Sequence, residues 1–412
     1  MSVANLSRRP TPTSTNACQP SPVLRFRRMP TIRPAPHRAW STDEPALAYT
    51  HHVTTLSTID AAATDLTEAL AGQVRRAADA RTPLRIVGGE TKAFYGRRLE
   101  GEALRLAGHA GIVAYDPSEL VVTARAGTPL AAIEARLAQH GQRFAFEPPR
   151  FGEASTLGGV VASGLSGPRR PFAGAVRDCV LGVTLLDGRG QVLRFGGQVF
   201  KNVAGFDLFR LQAGALGALG VILEVSIRVT PAPRREAAVA LEMASDAARV
   251  RLTELMRRPT PLSGAFHDGA RLHLRLSGGE AGVTAALGEI GGEAEALSWW
   301  DAVRDHRHPA LVGAGRLWRL TLPQTAAIPD VGEAIAWDWA GAQVWIRSDR
   351  IAATIWQAAA EAGGHATLFR GGAGGEEVFQ PLEPAMLTLH QRIKRALDPA
   401  GILNPGRLYG AL

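Results

Sequence analysis

Cysteine is nearly absent from this sequence: Cys18 and Cys179 are the only two in 412 residues. Two distant thiols give no disulfide framework and suit a reducing compartment. They also cannot supply the four thiolates of an ordinary iron–sulfur cluster, so any such centre must belong to another polypeptide. No run approaches the ~20 apolar residues that a membrane helix needs; the longest candidate, Leu211 to Leu223, is broken by glycines. A G-x-G-x-x-G fingerprint and a Walker-type phosphate loop are both missing. Lysine is scarce, with only Lys92, Lys201 and Lys394 in an arginine-rich chain.

Acidic residues are missing from one place in particular. Residues 1–42 hold seven arginines, seven prolines and no acid. The net charge of +8 comes almost wholly from there, because the rest carries 39 basic and 38 acidic groups. A nearly neutral body offers no broad field for a phosphate backbone, so no nucleic-acid partner is expected. Segment 1–42 reads as a disordered basic tail or as an extension from an upstream start codon. Ser7-Arg8-Arg9 resembles the start of a twin-arginine signal, but Pro10 and Thr11 stand where an apolar stretch would be required, so export is not expected.

What remains is ordinary for a globular protein, with 46% hydrophobic residues, and long enough for two domains. Ala61 to Ala80 predicts an amphipathic helix through Leu66, Leu70, Val74 and Ala77. Pro83 separates it from a strand at Leu84–Val87, and a second strand is expected at Leu120 to Ala124. Thr128 is expected to cap, and Pro129 to start, a helix that buries Leu130, Ile133 and Leu137 and stops at Gly141. Val180 to Phe195 predicts a hairpin around Asp187-Gly188-Arg189-Gly190. Val221 to Val229 alternates as a half-buried strand, with Glu224, Ser226 and Arg228 outward. Beyond residue 233 lie seven of the eight tryptophans, which predicts a second core. A helix is expected from Pro384 to Leu397, ended by Asp398-Pro399.

Three glycine-rich segments border strands in the first half. Gly88, Gly89, Glu90, Thr91 and Lys92 follow a strand and can turn backbone N–H groups inward as an anion nest, although a tight turn explains them equally well. Thr156, Leu157, Gly158 and Gly159 begin a stretch of small residues that runs through Gly164 to Gly167. Gly214 to Ile222 runs straight into the alternating strand; small-residue helix packing is the competing explanation. Together the three favour a dinucleotide cofactor.

Those segments resemble the FAD-binding domain of the p-cresol methylhydroxylase (PCMH) and vanillyl-alcohol oxidase type. Glu147-Pro148-Pro149, Gly167 to Pro171, Phe195 to Asp207, Gly363 to Thr367 and Asn404-Pro405-Gly406-Arg407 further resemble the E-subunit family of bacterial glycolate oxidase. The resemblance spans about residue 60 onward. It implies an α+β architecture: a PCMH-type FAD-binding domain of two α+β subdomains, an α+β cap with an antiparallel sheet, and a C-terminal helix returning to the FAD domain. The expected divisions are 1–42, 43–233, 234–383 and 384–412. The implied cofactor is FAD. Gly88, Gly89, Glu90, Thr91, Lys92, Thr156, Leu157, Gly158 and Gly159 would flank its pyrophosphate, and Gly167, Gly214, Gly220, Val221 and Ile222 would line the remainder. Residues 88–92 contain no histidine, so the flavin is expected to be non-covalent.

Relatives that oxidise 2-hydroxy acids carry an H-x-G-D-G-N-x-H segment. The comparable stretch here, His365 to Arg370, keeps one histidine, too few for a catalytic metal. Asp305-His306-Arg307-His308 reads as a surface patch. Lys201 could neutralise a reduced flavin or a substrate carboxylate, or form an ion pair with Asp207. No catalytic residue is assigned. The resemblance implies a subunit of a glycolate-oxidising complex whose partners are a catalytic FAD subunit and an iron–sulfur subunit. Membrane association would arise only through those partners, on the cytoplasmic side. A self-sufficient 2-hydroxy-acid dehydrogenase and a non-catalytic scaffold subunit are the alternatives.

Overall fold

Pro83 cannot extend a helix, and the four residues after it form the first strand, β1 (Leu84–Val87), as expected. The structure is a computed structural model that describes residues 63–197 and 207–412. Residues 1–42, Lys201 and Asn202 lie outside the described residues. Helix α1 (Thr67–Ala80) begins later than the apolar period suggests, because Asp65 Oδ1 accepts the Thr67 N–H at 2.9 Å and sets the first turn there. β1 pairs in parallel with β2 (Glu102–Arg105).

A six-stranded antiparallel sheet follows, built from β3 (Ile112–Asp116), β4 (Val121–Arg125), β5 (Gln142–Phe144), β6 (Val180–Leu186), β7 (Val192–Gly196) and β8 (Val221–Pro231). Its order is β3-β4-β8-β6-β7, with β5 on the far end of β8. β6 and β7 form the expected hairpin, whose turn is held by Asp187 accepting N–H groups from Arg189 and Gln191. The supposed outer face of β8 is not open. Ser226 is buried and bonds Thr123 at 2.8 Å, and Glu224 and Arg228 are half-buried.

Helix α2 (Leu130–Ala138) buries Leu130, Ile133 and Leu137 as its spacing requires. Thr128 does not cap it. Its Oγ1 instead accepts from Gly111 N–H and donates to Arg125 O, and Pro129 precedes the first turn. Helix α3 (Leu157–Ser163) is capped by Thr156, which accepts from Gly159 N–H at 3.3 Å.

After Pro231 the chain changes sheet. Eight antiparallel strands follow in the order Glu293–Glu295, Arg235–Glu242, Arg271–Gly278, Leu262–His267, Glu333–Asp338, Gln343–Arg347, Leu317–Thr321 and His365–Arg370. Trp300, Trp318, Trp337 and Trp345 are wholly buried here, so the tryptophans are core as expected. Glu147 anchors this layer to the first: both its oxygens accept from Arg275, at 2.7 and 2.9 Å.

The C-terminal helix, Pro384–Leu397, returns to the first sheets. The face it packs is not the apolar one. Met386 and Leu389 are each 46% exposed, while Lys394 is 5% exposed and donates to Ala218 O, Leu403 O and Asp398. Beyond it, Leu403 lies beside β1 in parallel, and Asn404 accepts from Ile86 N–H and donates to Leu216 O.

Candidate functional site

The turn after β1 approaches the turn before α3 so closely that side chains are excluded. A Cβ on Gly89 would stand 1.5 Å from Ala154 O, and one on Gly88 2.7 Å from Thr156 Oγ1. Helix α3 then divides by its period. Leu157, Val160 and Val161 face the core, while Gly158, Gly159, Ala162 and Ser163 face a cavity. The small residues thus serve two purposes: they let two loops touch, and they leave a wall with nothing larger than alanine or serine on it.

The cavity measures about 890 Å³, near the upper end of ligand sites in general. Residues 85–94 and 96–99 form one side of it. The first turns of α3, the segment containing Leu216, Gly217, Gly220 and Ile222, and the C-terminal Asn404 and Arg407 form others. Leu368 to Gly372 of the second layer closes over it, with Gly374 and Glu376. Among the described residues, the N–H groups of Gly88, Gly89, Glu90, Thr91 and Lys92 have no protein acceptor. Glu90 holds a left-handed φ of 53°, which bends consecutive amides into a concave turn.

Of the site residues named from sequence, Gly88, Gly89, Glu90, Thr91, Lys92, Thr156, Gly158, Gly159, Gly220 and Ile222 come together at this cavity. Four do not. Leu157 and Val221 are buried in the core, because the period of their helix or strand turns them away from the cavity. Gly167 lies at the contact between layers, where Trp339 Nε1 donates to its carbonyl at 3.0 Å and a Cβ would meet Glu147 O at 2.7 Å. Gly214 packs on Gly164 and donates to Val161 O.

The cavity's charges are unevenly matched. Glu90 is paired with Arg85 at 2.7 Å, and Glu376 with Arg316. Lys92 donates to Ser155 Oγ at 2.8 Å and to Arg150 O at 3.3 Å. Burial pushes its ammonium down to about 8, against the pull of Asp305. Arg370 has no carboxylate partner among the described residues. Its guanidinium lies 4.7 Å from the Phe94 ring centroid and 5.5 Å from that of Phe151, and burial lowers its pKa.

The supposed surface patch 305–308 turns partly inward: Arg307 is exposed as expected, Asp305 and His306 are half-buried, and His308 is buried. Asp305 accepts Arg150 N–H at 2.9 Å and both arms of Arg304. His306 stacks on Phe369 at 4.8 Å and meets Trp345 edge-on at 4.7 Å; burial, with Arg370 and Arg319 adding to it, pushes its imidazole down to about 3. His308 accepts Ala310 N–H and ends a chain turn. Asp207, weighed above as a partner of Lys201, pairs with Arg210 at 3.5 Å. Arg370, Arg407 and the Gly371–Gly372 turn were not identified from sequence. Their only signals were the Arg370 that ends the histidine-poor segment and the Asn404 to Arg407 motif.

Known proteins fit this geometry. The FAD binding domain family matches residues 62–196, and the C-terminal domain family of FAD linked oxidases matches 372–408. Glycolate oxidase subunit GlcE of Escherichia coli (strain K12) is 46% identical over 349 residues, 84% of this chain and 99% of that protein. The chain belongs to the glycolate oxidase GlcE family. A D-lactate dehydrogenase of Anaerostipes hadrus is 33% identical over 124 residues, 30% of this chain and 26% of that protein, so that likeness is partial. In structure, alkyldihydroxyacetonephosphate synthase aligns with a TM-score of 0.57 at 13% identity over 82% of this chain and 74% of that one, a likeness of fold alone. The cofactor of this GlcE-family chain is FAD, and the chain is an FAD-linked oxidoreductase subunit. The residues fit such a group: the unpartnered amides of 88–92 and the small-residue face of α3 suit a dinucleotide's phosphates, and the cavity has the volume for its rings. Among the described residues, no group of three or more His, Cys, Asp or Glu could hold a metal ion.

Proposed function

We propose that this chain is the FAD-holding subunit of a glycolate dehydrogenase complex that converts glycolate to glyoxylate. In this reading a partner flavoprotein oxidises the substrate and an iron–sulfur subunit carries the electrons onward. The observation that carries it is a dinucleotide-sized cavity whose candidate bases, among the described residues, are already engaged: its two carboxylates, Glu90 and Glu376, are both ion-paired, and Lys92 donates to Ser155 Oγ and Arg150 O. Oxidising a 2-hydroxy acid requires a group to take the hydroxyl proton. Nearby His306, held near 3, is too weakly basic to accept one at neutral pH.

The residue roles follow from the walls. Amides of 88–92 would surround the pyrophosphate, Thr156, Gly158 and Gly159 would flank it, and Gly220 and Ile222 would line the rest. The flavin is held non-covalently in this reading, since no His, Cys or Tyr is among the described residues lining the cavity. Bound FAD supplies one- and two-electron redox chemistry that no side chain offers. Divisions at 43–233, 234–383 and 384–412 belong to the same proposal. So does a place at the inner face of the cytoplasmic membrane through the partners; among the described residues no helix is long and apolar enough to cross a membrane.

A second reading has one observation in its favour. Arg370, a cavity cation without a carboxylate partner among the described residues, could take a substrate carboxylate, as a self-sufficient dehydrogenase would require. One experiment separates the two. The purified chain should be yellow and stay yellow on anaerobic addition of glycolate, bleaching only when the partner flavoprotein is added. Bleaching of the lone chain by glycolate or D-lactate would overturn the first reading. A chain that stays colourless after incubation with FAD would favour a scaffold.

A further inference from the structure

Arg407 is half-buried beside the cavity with no carboxylate partner among the described residues, and burial, with Arg85 adding repulsion, lowers its pKa to about 10. It spends its donors on backbone. The guanidinium donates to Tyr95 O at 2.6 Å, to Ala93 O at 3.1 Å and to Arg97 O, and Arg97 N–H donates back to Arg407 O at 3.1 Å. The loop lies directly on it. Gly96 has φ 87°, and a Cβ there would stand 3.2 Å from Arg407 Nε and 2.9 Å from Leu216.

In a planar trans peptide the carbonyl and the N–H that follows it point in opposite directions. Drawing the carbonyls of Ala93 and Tyr95 onto Arg407 therefore turns the N–H groups of Phe94 and Gly96 away from it. Both residues line the cavity, and among the described residues neither N–H has a protein acceptor. They add to the unpartnered amides at 88–92, although the N–H groups of Ala93 and Tyr95 between them are bonded to Glu90 O and Lys92 O. The Arg407 guanidinium, itself on the cavity wall, draws in the carbonyls of this loop, and the free amides point away from it. That arrangement complements a dianion placed in the cavity. Asn404, on the same tail, ties Ile86 N–H to Leu216 O and so fixes where the guanidinium stands.

We propose that Arg407 is the positioning residue of the pyrophosphate site: by holding the loop's carbonyls it orients the amides that receive the two phosphates, and it supplies charge that they neutralise. This rests on the FAD reading above and deepens it. The full-length apo chain is titrated with FAD and with riboflavin, which has no phosphate, following flavin fluorescence, for wild type, Arg407→Gln and Arg407→Lys. Arg407→Gln should weaken FAD by about tenfold or more while riboflavin changes by less than about threefold. Arg407→Lys should recover part of the loss, because it keeps the charge and loses the fork. Unchanged FAD affinity, or an equal loss of both ligands, overturns the proposal. If Arg407→Gln does not fold, Arg407→Lys decides by the same comparison. A wild-type chain that binds neither flavin overturns the cofactor reading itself, a result distinct from any difference among variants.

Discussion

Gly89 lies so close to Ala154 O that a β-carbon would sit inside the oxygen's radius, at 1.5 Å. Gly89→Val should therefore force the two cavity loops apart. We expect a loss of about 2–4 kcal/mol in urea unfolding together with greatly weakened FAD binding; wild-type values for both would show that the loops can part without consequence. At this scale Gly88, Gly89, Gly158, Gly159, Gly220, Thr156 and Lys92 could be singled out by their clustering beside strands, although a tight turn or small-residue packing accounted for such segments as well, and Gly167 and Gly214 do not reach the cavity. Leu157 and Val221 fall outside the cavity lining for one reason: adjacency in sequence does not put neighbours on one face of a helix or strand. Arg370 and Arg407 were invisible as site residues. Their cavity contacts come from tertiary packing, and Arg407 reaches across 312 residues to Tyr95.

The C-terminal helix was legible as an element, with its bounds as expected, but not in its orientation. Met386, Leu389, Ile393 and Leu397 recur at helical spacing, yet Met386 and Leu389 are exposed and the helix is held by Lys394. A periodicity argument assumes that the apolar stripe meets the protein's own core, and here a buried lysine with three oxygen partners decides the packing. Burial lowers the Lys394 pKa, while Asp398 beside it works the other way. Lys394→Met should leave Asp398 buried without its cation and cost about 3–5 kcal/mol. The expected readouts are a lower urea midpoint and faster cleavage of the tail beyond Asp398 by added protease. Unchanged protection would show that the tail is seated by Asn404 and Arg407 alone.

Across the whole molecule, the two layers meet at a buried charged seam. Burial holds Asp338 protonated up to about pH 7, with Glu147 adding to the shift and the Trp339 N–H opposing it. Its folded pKa exceeds the ordinary 3.8, so between those values the folded chain holds a proton that the unfolded chain has lost. Stability from this group is complete below about pH 4, falls as pH rises toward 7, and levels off above. Asp338→Asn removes the dependence. Relative to wild type it should gain about 2–4 kcal/mol at pH 8 and nothing near pH 4, read from denaturation at each pH. A constant difference across that range would remove Asp338 as the titrating group. The seam was partly legible. Glu147 stood in a quoted motif, but its partner Arg275 lies in the other layer, and no pattern in either segment names the other.

The order of synthesis gives the tail one more significance. The loop at 88–96 leaves the ribosome hundreds of codons before the arginine that braces it. A nascent chain can thus complete the first sheets and still lack a finished wall for the flavin. Cofactor loading should therefore be a late event in this protein's maturation, and products that end before Arg407 should bind FAD more weakly than the full chain.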